Sequence, residues 1–308
     1  MKRKLAYGLV IVMSVAMLGG CGTKKAEKVE LSLKEVLANA ADSVVSIESL
    51  EFDVNGKLDM EAAQEGQDIS ASGNASLDGV ITTKDPSTHM KGEVEYKCSY
   101  NNTTLSGTNS AEVYGEDKAD EEAFYMYARI DDKDWMSTVE DLSDFTEDLG
   151  ELDYEGLKEE FDSLVDDEEF NDIFKLKDTV QAANGKDCYM IYAELGKDKL
   201  IEIVEENGSS TDVEEIKEAI ENLKINYEIY LDKNTYYPVK MVIAINLKVN
   251  IEDEDINLDI KELTLEFNSK INEAKTVTVP DEVKENAVST EDEQLEESVS
   301  DVLDTVLY

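Results

Sequence analysis

From Val239 to Ile251 the apolar residues take every second position, with Lys240, Asn246, Lys248 and Asn250 between them. One face of this stretch is apolar and much of the other is polar, the pattern of a strand with one buried face. Ile225, Tyr227, Ile229 and Leu231 alternate in the same way ahead of a turn at Asp232-Lys233-Asn234-Thr235. Ile256, Leu258 and Ile260 resume the pattern. The phase then slips by one to Leu263, Leu265 and Phe267, which predicts a β-bulge near Lys261-Glu262. The whole stretch reads as an antiparallel meander with one apolar face.

Nearer the start, Ser32 and Glu35 have capping-box spacing and Leu31 and Val36 are placed as its hydrophobic staple. Leu33, Val36, Leu37, Ala40, Ala41, Val44 and Ile47 then form the stripe of an amphipathic helix, which needs a sheet to lie on. Strand periodicity follows in Leu50, Phe52, Val54, Leu58, Met60 and Ala62, with Gly56 where a strand can bend. After a turn at Glu65-Gly66-Gln67-Asp68 it continues through Ile69, Ala71, Gly73, Ala75, Leu77, Gly79 and Ile81, whose small side chains leave space on an inner face. A loop at Lys84-Asp85-Pro86-Ser87 leads to Met90, Gly92, Val94, Tyr96, Cys98 and Tyr100. Asn101 to Ser110 is polar and reads as a mobile connection. Phe124 to Ile130 and Asp134 to Val139 give two more strands.

Between Glu140 and Asp172 the apolar spacing changes to three and four residues, as in short amphipathic helices, within a stretch of sixteen acidic residues and one lysine. Leu176 to Ala182 and Cys188 to Leu195 flank Asn184-Gly185, a strong hairpin signal. Lys197 to Glu206 reads as a helix. Thr211 and Glu214 form a second capping box ahead of another helix carrying Val213, Ile216, Ile220 and Leu223. Val277 and Val279 add an edge contact before Pro280, and residues 281–308 form an acidic tail with ten acidic side chains and one lysine.

Charge narrows the partners. The formal net charge is −43, and −46 once residues 1–20 and their Lys2, Arg3 and Lys4 are removed. Such a polyanion is repelled by nucleic acid and by acidic headgroups. The start of the chain looks removable: Lys2-Arg3-Lys4 is a basic n-region, Leu5 to Leu18 an apolar run too short for a comfortable membrane span, and Leu18-Gly19-Gly20-Cys21 follows directly. The last four residues resemble the lipobox of bacterial lipoproteins, whose cysteine is lipidated and becomes the mature N-terminus. The resemblance makes Cys21 the lipid-attachment residue on the extracytoplasmic face of the cell membrane. Gly22 to Glu30 then reads as a tether with a reach of roughly 15–20 Å.

Catalytic chemistry is sparse. His89 is the only histidine, which argues against Ser-His-Asp and Cys-His arrangements and against the usual zinc sites. No glycine-rich phosphate loop and no EF-hand calcium loop is present. The chain therefore reads as a non-enzyme with neither cofactor nor metal. Trp135, the single tryptophan, reads as a buried structural residue. Cys98 and Cys188 are left either to pair as a disulfide outside the cytoplasm or to serve as small buried apolar residues.

Two short pieces carry a family resemblance. Leu231-Asp232-Lys233-Asn234-Thr235-Tyr236-Tyr237-Pro238-Val239-Lys240-Met241 and Val279-Pro280-Asp281-Glu282-Val283-Lys284 resemble segments of Gram-positive lipoproteins of the LolA/LppX-like class, and the element order over residues 31–284 resembles that fold. The resemblance implies an α+β fold: a strongly curved antiparallel sheet, an incomplete β-barrel of about 9–11 strands, packed on helices. Known members bind acyl chains between sheet and helices. The expected organisation is a signal peptide at 1–20, a lipidated tether at 21–30, a single LolA-like domain at 31–280 with an acidic helical insert at 140–172, and a tail at 281–308. The expected function is binding of a lipid or other amphiphile in an apolar groove walled by Phe52, Leu58, Met60, Leu77, Met90, Tyr96, Met126 and Met241. The alternative is an acidic envelope interaction or sensor module with a fully packed core, meeting a basic partner protein.

Overall fold

The computed structural model describes residues 28–289 except positions 45, 65, 84–85, 102, 119–122, 142–167, 208–216, 218 and 252–254. The expected signal segment with Cys21, most of the expected acidic insert, the expected capping box at Thr211 and Glu214, and most of the expected tail lie outside the described residues.

Among the described residues thirteen strands form one sheet in the order β13-β6-β5-β4-β3-β2-β1-β12-β11-β10-β9-β7, with β8 also pairing with β9. The strands are β1 (Ser49–Gln64), β2 (Gln67–Thr82), β3 (Ser87–Tyr100), β4 (Thr103–Lys118), β5 (Ala123–Ile130), β6 (Met136–Asp141), β7 (Lys175–Leu176), β8 (Gln181–Ala183), β9 (Lys186–Gly196), β10 (Ile220–Asp232), β11 (Pro238–Ile251), β12 (Ile256–Ile271) and β13 (Val288–Ser289). Every pairing is antiparallel except that of β13 with β6. The helices among the described residues are α1 (Leu33–Val44), α2 (Glu168–Ile173), α3 (Lys197–Asn207) and α4 (Asp281–Asn286).

The molecule is therefore mostly β, which overturns the expected α+β, LolA-like sheet of about 9–11 strands packed on helices. The reason is geometric. β1, β2 and β4 are each 16 residues long and β3 is 14, joined by tight hairpins, and a 12-residue helix of about 18 Å cannot cover such a span.

α1 starts as its sequence dictates. Glu35 N–H donates to Ser32 Oγ at 3.2 Å and Ser32 N–H donates to Glu35 Oε2 at 2.8 Å. The Ser32 hydrogen bonds hold the Glu35 carboxyl below its ordinary value. Val36, Leu37 and Ala40 then bury themselves on Ile191, Ala193, Tyr227, Ile229, Leu231 and Met241, and this is the principal core. The predicted bulge is present: Leu263 pairs with Leu58 and Ile245, Ile260 pairs with Met60 and Leu247, and Lys261 is the extra residue. The hairpin at Asn184-Gly185 also forms, both residues having positive φ.

Three stretches differ from the sequence reading. Residues 281–289, read as the start of the tail 281–308 beyond a domain ending at 280, form α4 and β13, and Val283 is buried on Tyr127. Asn101 to Ser110, read as a connection, is a turn residue at Asn101 and then the first half of β4, in full register with β3. Ile220 and Leu223, read on a helix, both lie in β10. They pair with Val249 and Leu247 across an irregularity at Glu221, so an inserted residue in a strand mimics the three-residue step of a helix.

Candidate functional site

Cross-strand register gathers the apolar positions onto one face. Leu195, Ile225, Ile245, Leu263, Leu58, Gly73 and Tyr96 form a single row across β9, β10, β11, β12, β1, β2 and β3. A second row runs through Leu223, Leu247, Ile260, Met60, Ala71, Cys98 and Leu105. α1 covers this face only over β9, β10 and β11. Beyond it and the buried Phe52 end of β1, the described part of the face is open: Ile69 is 37% exposed, Leu77 38%, Tyr100 49% and Leu105 63%. Water at so continuous an apolar surface costs about 25 cal/mol per Å², and such patches mark binding surfaces.

The eight residues predicted to wall a groove divide into two groups. Phe52 and Met241 are core residues, and the space between α1 and the sheet is filled, with Val36 and Ala40 fully buried. Met90 packs with Phe52, and Met126 stands opposite Gly115 and Thr138. Leu58, Met60, Leu77 and Tyr96 lie on the open part. The expected groove between sheet and helices is thus replaced by an uncovered sheet face. The small residues do not leave the space expected of them, because neighbouring rings roof them. A Cβ at Gly79 would sit 2.7 Å from Phe52 Cζ, and one at Gly107 would sit 2.7 Å from the Tyr96 hydroxyl.

Cys98 and Cys188 do not form the candidate disulfide. They are free thiols, Cys98 exposed on β3 and Cys188 buried on β9. Burial pushes the Cys188 thiol up to about 12.

The opposite face is polar. Lys57 pairs with Glu262 at 2.5 Å and Lys240 with Glu266 at 2.6 Å. Both acids border an open hollow of about 610 Å³ with Glu93, Glu95, Asn55 and Asn74. A second hollow of about 710 Å³ lies nearer the strand ends, beside Glu61, Asp68, Lys248 and Asp259.

Further along this face is a constellation that the sequence reading missed. Glu112 on β4 accepts hydrogen bonds from Arg129 Nη2 at 2.8 Å and from the Tyr114 hydroxyl at 3.2 Å, and lies 3.1 Å from His89 Nε2. His89 stacks on Tyr114 with ring centres 4.2 Å apart, and the Arg129 guanidinium lies 4.8 Å over the Trp135 ring. Burial raises the Glu112 carboxyl, but His89, Arg129 and Tyr114 together hold it below the usual carboxylate range. Burial and Glu112 push the Tyr114 phenol up. α4 and the chain leading into it bury Val283 and Val279 on Tyr127 beside this group, and Lys284 pairs with Glu116 at 2.6 Å. Among the described residues no three His, Cys, Asp or Glu side chains are placed to hold a metal ion.

Comparisons with known proteins add a family and little else. The profile of a family described as a family of unknown function, DUF6612, matches residues 32–288. No curated protein matches the sequence. Among solved structures the chain is similar to a β-barrel-like protein of the domain of unknown function DUF1849 from Brucella abortus, at 7% identity and a TM-score of 0.24, covering 74% of this chain and all of that one. It is also similar to a DUF1329 family protein from Desulfovibrio piger, at 13% identity and a TM-score of 0.15, over 79% of this chain and 93% of that one. A third likeness is to the translocator domain of the autotransporter NalP from Neisseria meningitidis, at 7% identity and a TM-score of 0.20, over 72% and 88% of the two chains. At TM-scores this low the three likenesses carry no argument.

Proposed function

The chain belongs to the family of unknown function DUF6612, and we propose that it is a membrane-anchored extracytoplasmic binding protein whose open apolar sheet face takes up a lipid or other amphiphile. The observation that carries this reading is the run of exposed aliphatic and aromatic side chains, Ile69, Leu77, Tyr100, Leu105 and Leu263, on a face continuous with the core. An acyl chain laid on it removes apolar surface from water on both partners. The lipobox at Leu18-Gly19-Gly20-Cys21 supports the placement, since a lipidated Cys21 and a short tether hold the body beside a source of amphiphiles. The scarcity of histidine supports a role without catalysis.

A second reading uses the other face. The hollow bordered by Glu93, Glu95, Glu262 and Glu266 favours an acidic module that meets a basic partner protein. Salt separates the two: partner capture by the acidic face weakens steeply at high ionic strength, and amphiphile uptake does not.

Titration with Nile red, an uncharged dye that brightens in apolar surroundings, tests the first reading. The wild-type protein binds the dye, and the double variant Leu77→Glu, Leu263→Glu binds it at least about tenfold more weakly, a difference of about 1.4 kcal/mol. Both positions are more than a third exposed, so the fold tolerates the change. Absence of dye binding, or equal binding by the variant, overturns the reading.

A further inference from the structure

We infer that the ligand of the apolar face is an uncharged amphiphile, one whose headgroup carries neither a phosphate nor a carboxylate. The inference rests on the amphiphile reading above and adds the charge class of the ligand. Among the described residues of β9, β10, β11, β12, β1, β2 and β3, the register and alternation place a single charged residue on this face, Asp187 at the outer start of β9, and it is acidic. Seven strands at about 4.8 Å spacing make a surface about 29 Å across. An anionic headgroup seated anywhere within it, or a cationic one anywhere but beside Asp187, would lose water and gain no counter-charge.

The lysines are elsewhere. Lys57, Lys240, Lys248, Lys261 and Lys270 all stand on the opposite face, each paired with a glutamate. Among the described residues of these strands, a carboxylate or phosphate headgroup therefore meets no cation on the apolar side, and the net charge of −43 repels it on approach. The charged residue nearest to this surface in the neighbouring strand, Asp117 near the end of β4, is acidic and sharpens the same discrimination. What the face does offer a headgroup is neutral and weakly polar: the Tyr96 and Tyr100 hydroxyls and the Thr103 side chain at the open end. Those groups suit a hydroxyl or an ester.

Three competitors with one chain length test this: 1-dodecanol, dodecanoate and dodecyltrimethylammonium, each displacing Nile red from the full-length protein at pH 8. The expected result is that dodecanol displaces the dye at a concentration at least tenfold lower than dodecanoate. The long-range field draws the cationic probe in at low salt, so it is compared in 1 M NaCl, where it too falls at least tenfold behind dodecanol. Val94→Lys, which sets a cation on the face opposite Ala75, narrows the gap between dodecanol and dodecanoate. Dodecanoate displacing the dye as well as dodecanol overturns the inference while the amphiphile reading stands. Failure of all three to displace bound dye overturns the amphiphile reading as well.

Discussion

Glu112 is the side chain on which most local interactions converge. Its side chain is 15% exposed and it joins His89, Tyr114 and Arg129 across three strands. Hydrogen bonds to a half-buried charge contribute more than neutral ones, so Glu112→Ala is expected to destabilise the protein by about 2 kcal/mol in chemical denaturation at pH 7. The pH dependence has a definite sign. The folded carboxyl lies below its ordinary value of 4.5, so its contribution is complete above that value and is lost as the pH falls through the lowered folded value. The stability gap between wild type and Glu112→Ala therefore closes in acid, and a gap that widens there contradicts the assignment. Thiol chemistry gives a second prediction at this scale. Alkylation of the native protein followed by peptide mass mapping labels Cys98 and spares Cys188, whose burial holds it as an unreactive thiol, and recovery of a Cys98–Cys188 cross-linked peptide refutes this. The Glu112 group had a signal in the sequence that the strand pattern concealed. It holds the only histidine, the only tryptophan and the only arginine after Arg3. Joining them requires the registers His89↔Tyr114 and Glu112↔Arg129, which the polar first half of β4 does not announce in the sequence.

Among the elements, those with strong alternation or explicit caps were legible, and those governed by their neighbours were not. α1 was readable because Ser32, Glu35 and the Val36, Leu37, Ala40 stripe agree on one answer. The Lys261 bulge was readable because the apolar phase slips there, whereas the irregularity at Glu221 hid β10 by imitating a helical step. The first half of β4 is polar because both its faces are exposed, so its strand state comes from the ladder to β3 and from no pattern of its own. A contrast in energetics follows. Leu37, 4% exposed under α1, is expected to cost about 3 kcal/mol when truncated to alanine. Leu105, 63% exposed on β4, is expected to stay within about 0.5 kcal/mol of wild type when changed to serine. Urea denaturation of the two variants checks the pair, and equal losses would show that the far half of the apolar face is packed in solution.

For the whole molecule, one sheet does two jobs on two faces at two ends. Among the described residues α1 closes the apolar face over β9, β10 and β11 and the α4 segment closes the polar face over the Tyr127 region, while the apolar face of β1, β2 and β3 beyond the buried Phe52 end stays open at Leu77, Ile69, Tyr100 and neighbouring Leu105. Composition and alternation made that apolar face visible in advance, but not how little of it the helices would cover, since cover depends on strand lengths and hairpin geometry. The measurement that tests the central claim most directly is photo-crosslinking of the protein with an uncharged alkyl diazirine, followed by mapping of the adducts by peptide mass spectrometry. Adducts concentrated on Leu58, Leu77, Tyr96 and Leu263 are the predicted result. Adducts confined to the polar face around Glu93 and Glu266, or labelling that native excess of 1-dodecanol does not reduce, would contradict it.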